Sequence, residues 1–401
     1  MFTIYPIYFH EFLSPIYLYP CYYFFFLNPT KKNNILIIYW FIICIISYDN
    51  VSDYRSYYIL FSRFKNGFGL MANDADKEIE FAWNYVFYLF SFTKYGNVLI
   101  HSIVLSITSF TFYKYSKKYN ILNFAILMYF LMALVVLHDN IMRQDIAICL
   151  AYPAYYLILD DELKIRNKVL KIIILTIIAF FFHYSAVFLL PFYFLIRPLS
   201  KLKLNYVYVL FAVLVVGIVF AQGVVMRILL SLSVALSGSG IANLSDFSLA
   251  MDKYLVDNFD FMRIVTAVFF CFPLIYFRTV SKCVYEQDRH LRLCVNMSCF
   301  VMVWKCYFGP YGITIFTRPV DYLIWFAVWG NSYMLRDIYL NKRRTILPLL
   351  SSLYIIFYMY VRVQSYSLYF GDNNYMTIFS QECIDQKYYI RDLEDASKRI
   401  R

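Results

Sequence analysis

The 401-residue sequence predicts an all-α, polytopic membrane protein, and three observations carry that prediction. Hydrophobic residues make up 61% of the chain and charged residues 16%, where soluble domains carry about 25% charged. Apolar runs of helical length recur from end to end. Lys and Arg collect in every second loop between those runs, the arrangement that membrane insertion imposes.

A helix crosses the hydrocarbon with about 20 apolar residues, 17–25 being usual. Twelve stretches approach this: 4–27, 34–48, 96–113, 121–137, 140–159, 169–182, 184–196, 206–221, 261–277, 293–308, 320–335 and 346–361. The shortest reach across by tilting or by drawing on neighbouring polar residues. The Tyr-rich first stretch also suits a position in the interface. The basic loops hold Lys31 and Lys32, then Lys114, Lys117 and Lys118, then Lys164, Arg166, Lys168 and Lys171. They continue with Arg197, Lys201 and Lys203, then Arg278, Lys282, Arg289 and Arg292, then Arg336, Lys342, Arg343 and Arg344. Placing this set in the cytoplasm puts both termini outside. The expected organisation is one transmembrane domain, 1–361, with outer loops 49–95 and 222–260, and an outer tail, 362–401.

Within the first outer loop, 78–92 is rich in aromatics and too short to span. It reads as an interfacial or re-entrant helix, tolerated at membrane depth when packed against other spans. The second outer loop contains Ser237-Gly238-Ser239-Gly240, a composition suited to a gating loop. The stretch 1–9 lacks a basic start, so no cleaved secretory signal is expected.

Several function classes fall away. The net charge of +11 is scattered over short loops, so no nucleic-acid partner is expected. The nine cysteines include no CxxC pair, and Cys44, Cys149, Cys271, Cys299 and Cys306 lie in apolar runs. They read as small core hydrophobes, and no metal is expected. There is no phosphate loop, HExxH or GxSxG motif. Asp74-Ala75-Asp76 matches DxD formally but falls in an outer loop, away from nucleotide-sugars.

The informative stretch is His138–Ala147, between two apolar runs. Arg143 falls in the first turns of a span, where a guanidinium costs about 2.5–3.5 kcal/mol on insertion scales. It can snorkel to the interface, pair with Asp145, or face an anionic ligand. Other polar groups collect on the same outer side. Asp53, Arg55 and Tyr57 follow the second span, and Glu80 and Trp83 open the aromatic helix. Gln144 follows Arg143, His183 and Ser185 start the seventh span, and Lys305 lies near the outer end of the tenth. Arg318, Asp321 and Tyr322 start the eleventh, and Asp372 and Tyr375 follow the last. Arg, Lys and His below an outer surface suit a phosphate or diphosphate. Asp53 and Glu80 can bind sugar hydroxyls or accept a proton, and Tyr and Trp rings offer faces for sugars. Each has a plain structural alternative: Asp53 pairing with Arg55, Glu80 at a helix N-terminus, His183 on a buried carbonyl, Arg318 as an interfacial anchor, Lys305 snorkelling.

The order of these motifs resembles the EpsG family of Wzy-type polysaccharide polymerases. The motifs are Asp53-Tyr54-Arg55-Ser56-Tyr57, Glu80-Phe81-Ala82-Trp83, Arg143-Gln144-Asp145-Ile146-Ala147, His183-Tyr184-Ser185-Ala186 and Arg318-Pro319-Val320-Asp321-Tyr322. The resemblance covers about 33–379, and leaves the 73–76 insert and the charged tail 386–401 without counterparts. It implies a multi-pass enzyme of the bacterial cytoplasmic membrane, similar to the GT-C class of membrane glycosyltransferases, with its site facing outside. The implied substrates are undecaprenyl-diphosphate-linked oligosaccharides in the bilayer, polymerised without nucleotide-sugar, metal or other cofactor. A flippase and a chain-length regulator are its implied partners. Arg143 and Arg318 would bind the diphosphate, and His183 the diphosphate or the acceptor proton. Asp53 or Glu80 would activate the acceptor. Gln144, Tyr57, Trp83, Lys305, Tyr322 and Tyr375 would contact substrate.

Two other classes stay open. A lipid-linked oligosaccharide flippase would hold charge near the midplane in paired broken helices, whereas the charges here gather at one face. A glycan ligase would use the same donor chemistry. An acyltransferase would want an intramembrane His beside Asn or Asp, and His183 is followed by Tyr184.

Overall fold

A computed structural model of the chain describes residues 34–46, 61, 80–93, 95–132, 142–209, 269–308, 319–341 and 353. All regular structure among them is helical. The expected spans 4–27 and 346–361, the loop 222–260 and the tail 362–401 lie outside the described residues, Leu353 excepted, as does most of 206–221. The chain divides into two compact units, Met1–Val187 with Ser352–Arg401, and Phe188–Ser351.

The first unit contains α1 (Asn34–Ile46), α2 (Phe81–Ser91), α3 (Gly96–Lys118), α4 (Leu122–Met132), α5 (Met142–Leu159) and α6 (Ile165–Phe182). Among the described residues α3 alone is long and apolar enough to cross a membrane by length and composition. It runs five residues beyond its apolar stretch because Lys117 and Lys118 suit a helix C-terminus, where the dipole favours cations. Asn120 then stops it with φ 55°, and Ile121 N–H returns to the Ser116 carbonyl at 3.1 Å. This is the left-handed cap that Asn tolerates. The entry to α3 is as constrained. A Cβ on Gly96 would stand 2.1 Å from the Phe90 carbonyl oxygen and 2.6 Å from the Phe61 ring. Only glycine lets the chain turn this tightly from α2 into α3.

Trp40 of α1 is fully buried, 5.8 Å between ring centroids from both Phe112 of α3 and Tyr129 of α4. At the far ends of α3 and α5, Tyr115 and Tyr156 stack at 4.3 Å. These two helices therefore run parallel, with their starts together at the opposite end. Helix α6 returns antiparallel to α5 and leaves Leu170, Ile173, Ile174 and Ile177 exposed. An apolar face of that size is unsuited to water and suited to lipid.

The second unit contains α7 (Leu189–Lys201), α8 (Phe272–Thr279), α9 (Lys282–Gln287), α10 (Arg289–Phe308) and α11 (Ile324–Leu340). The expected span 184–196 begins as a 3-10 turn, Tyr184–Phe188, before α7. Gly330 of α11 comes within 3.1 Å, at its Cβ position, of the Cys294 carbonyl of α10, a close crossing that small residues permit. Trp325 and Trp329 fill the core beside it. Arg292 sits in this unit with Nε on the Ser200 carbonyl (2.8 Å) and Nη1 on those of Tyr285 (3.2 Å) and Glu286 (2.6 Å). A buried guanidinium thus satisfies carbonyls left over at the ends of α7 and α9.

Candidate functional site

Three elements of the first unit converge on one carboxylate. Glu80 is the residue before α2, Arg143 lies in the first turn of α5, and His183 ends α6. Because α5 and α6 are antiparallel, the start of one and the end of the other meet, and Glu80 lies between them. Arg143 Nη1 donates to Glu80 Oε2 at 2.6 Å, and His183 Nδ1 lies 2.6 Å from Glu80 Oε1. Each carboxylate oxygen therefore holds a different partner. Exposure of the side chains grades outward from Glu80 at 4% through His183 at 13% to Arg143 at 26%.

The backbone explains why His183 is presented. It leaves the helix in extended geometry, φ −158° and ψ 119°, while its N–H still bonds the Ala179 carbonyl at 2.8 Å. The Phe182 carbonyl, orphaned at the helix end, accepts the indole N–H of Trp83 at 2.8 Å. Trp83 also meets Phe182 edge-on at 5.8 Å and packs on Phe87 at 5.7 Å. Below them, Phe61, Trp83, Phe87, Ile100, Val104 and Ile146 form one buried cluster. Glu80 and Trp83 are three apart, so one turn of α2 carries both the carboxylate and the strut.

Electrostatics follow from the geometry. Burial pushes the Glu80 carboxyl upward. The hydrogen bond with His183, the Arg143 charge and the Glu80 backbone amide outweigh it and hold the carboxyl below its ordinary value. A carboxylate held this way keeps its charge and is a weak proton acceptor.

The other expected residues are distributed as follows. Gln144 is buried beside Arg143 on α5, with Asp145. The Trp83 ring is 1% exposed and turned to Phe87 and Phe182, so it offers no open face for a sugar. In the second unit Lys305 Nζ reaches Asp321 Oδ1 at 3.3 Å, and Tyr322 is fully buried. Asp53, Tyr57, Arg318 and Tyr375 lie outside the described residues. Among the described residues no group of three His, Cys, Asp or Glu side chains could hold a metal ion. The Phe182 carbonyl is the functional group that residue types could not reveal, since every residue carries one.

A protein-family model described as the EpsG family matches residues 32–377. No curated protein and no solved structure matches the chain.

Proposed function

From the premise that the chain belongs to the EpsG family, a family of Wzy-type polymerases, we propose that it joins undecaprenyl-diphosphate-linked oligosaccharide repeat units into a surface polysaccharide. The proposed setting is the outer face of a bacterial cytoplasmic membrane, in a multi-pass chain of about twelve spans with a GT-C-like organisation. The observation that carries the reading is the Arg143–Glu80–His183 constellation, a cation and an imidazole held on one buried carboxylate.

In the proposed reaction an acceptor hydroxyl attacks the anomeric carbon of the donor chain, and the lipid diphosphate leaves. Charge grows on the diphosphate as the bond breaks, so preorganised donors contribute most there. Arg143 is suited to that task. Its guanidinium is a planar fork of N–H donors suited to phosphate oxygens, and its side chain is the most exposed of the three. The family resemblance also implies Arg318 on the diphosphate, Asp53 in acceptor activation, and Tyr57, Lys305 and Tyr375 in contact with substrate. The protein's own cations serve the leaving group in this scheme, without metal or nucleotide-sugar.

The test is incubation of the purified full-length protein with one synthetic lipid-linked repeat unit, followed by gel separation. A ladder of lipid-linked chains, formed in the presence of EDTA, is the expected result. Single transfers to a different acceptor would indicate a ligase, and unmodified repeat units would overturn the reading.

A further inference from the structure

We infer that His183 Nε2 accepts the proton of the attacking hydroxyl, and that Glu80 is a positioning residue that fixes the tautomer making this possible. The inference rests on the polymerase reading above and deepens it, because that reading leaves the proton to His183, Glu80 or Asp53.

Asp53 lies outside the described residues, and between the other two the geometry decides. A carboxylate at 2.6 Å from Nδ1 can only accept, so Nδ1 must carry a hydrogen. In the neutral ring the lone pair is then on Nε2, the nitrogen pointing away from Glu80, and Nε2 has no hydrogen-bond partner among the described residues. Glu80 is excluded as the acceptor by its own contacts. Both of its oxygens are engaged, one by a guanidinium and one by the imidazole, and its side chain is 4% exposed. Arg143 stays protonated throughout. Among the described residues the charged group in contact with the imidazole is Glu80 before α2, whose other oxygen holds Arg143, and the first turn of α5 also carries Asp145. The last turn of α6 carries none.

The backbone supports the same assignment. The main chain that carries His183 is held in place, because its own N–H is tied to Ala179 and the preceding carbonyl is tied to Trp83. In the step itself the acceptor oxygen forms a bond to the anomeric carbon, and the carbon–oxygen bond to the diphosphate breaks. The departing electron pair stays on the diphosphate, and the hydroxyl proton goes to Nε2. The imidazolium formed is stabilised by Glu80 across Nδ1–H, and it returns its proton to solvent or to the released lipid diphosphate.

The experiment uses the full-length protein in lipid nanodiscs with a synthetic lipid-linked repeat unit, its polymerisation rate followed across pH 5–8. The rate should fall on the acid side, because only a neutral imidazole can accept the proton. Glu80→Gln removes the charge that faces the imidazole across Nδ1, so the acid limb should move to lower pH. His183→Gln should lose about 10²–10⁴-fold in rate, and with it that limb. A limb that persists in His183→Gln, or an alkaline fall that Glu80→Gln displaces, overturns the inference. The second result would make the imidazolium a diphosphate ligand. A readout independent of turnover is ¹⁵N NMR of the ring nitrogens, with His183→Gln identifying one signal among five histidines. Hydrogen on Nδ1 at neutral pH is expected. Hydrogen on Nε2 in an active protein overturns the inference alone, whereas a wild-type protein that forms no ladder at any pH removes the polymerase reading beneath it.

Discussion

Trp83 donates its indole N–H to the carbonyl of Phe182, 99 residues later and immediately before His183. The strut that closes α2 onto the end of α6 therefore acts one peptide unit from the imidazole, while Glu80 grips the imidazole itself. Trp83→Phe keeps an aromatic ring against Phe87 and Phe182 but leaves the carbonyl unsatisfied, at a cost of about 1–3 kcal/mol. Trp83→Ala adds the loss of a fully buried ring, about 3–5 kcal/mol in all. Thermal unfolding of the two variants in detergent should rank them in that order. Equal melting temperatures for Trp83→Phe and the parent would mean that the hydrogen bond contributes nothing.

Glu80 links stability to pH with a definite sign. Its folded value lies below its ordinary one, so its contribution is complete above the unfolded value, about 4.3. That contribution is lost as pH falls through the lowered folded value. Glu80→Gln has the same shape without the charge, and charged hydrogen bonds of this kind contribute about 1.5–3 kcal/mol each. Part of that is screened at Arg143, about a quarter exposed. The melting-temperature gap between parent and Glu80→Gln should be present at neutral pH and should narrow as pH falls below about 4.3. A gap that stays constant from pH 7 to pH 3 would show that Glu80 is not charged in the folded protein.

Much of this was legible in the sequence, and the remainder fails for identifiable reasons. Fold class follows from composition, since a chain with so few charges cannot solvate its surface. Helix starts were harder. Helix α6 begins at Ile165 and takes in Arg166 and Lys168, ahead of its apolar stretch, because both are good helix formers whatever their hydropathy. The 3-10 turn after His183 has no apolar signature, as it arises from the extended geometry of that one residue. Glu80, Arg143 and His183 each stood out as polar groups at helix ends. Their convergence did not, because separations of 63 and 103 residues carry no periodicity. Trp83 reads from sequence as a surface for sugars, and only its place against Phe182 makes it a strut.

Orientation gives a third prediction. The starts of α3 and α5 and the end of α6 share the end that holds the site, and Lys117 lies at the other end of α3. A 23-residue helix is about 34 Å long, enough to separate the two by the hydrocarbon. In a cysteine-free background, cysteines at Asp74 and Ser239 should react with an impermeant thiol reagent applied from outside. Cysteines at Lys117 and Arg343 should react only after permeabilisation. The reverse pattern would turn the site toward the cytoplasm and end the proposed use of lipid-linked substrates there.

Arg143 provides the sharpest test, because three roles make different demands on it. An interfacial anchor asks only for a cation on a flexible stem, so Arg143→Lys would be nearly silent. A partner that merely neutralises Glu80 also needs only charge, and Lys would largely keep that as well. A diphosphate clamp needs a planar fork that can hold Glu80 with one N–H while presenting others in fixed directions, which a mobile ammonium cannot do. If its contact strengthens as the leaving group departs, losing it should cost about 2.7–4 kcal/mol, or about 10²–10³ in rate, as for an oxyanion donor. Arg143→Lys and Arg143→Ala should therefore both insert at parental levels and leave single repeat units unpolymerised. Lys282→Ala is the control. Its side chain is 61% exposed, 4.0 Å from Glu286 in the second unit, and the variant should give ladders at the parental rate. Melting temperatures separate the remaining possibilities: Arg143→Lys should keep most of the stability that Arg143→Ala loses, while both lose polymerisation alike. Full-length polymer made at the parental rate by Arg143→Lys would reduce this arginine to an anchor or a counter-ion, and the diphosphate would need another cation.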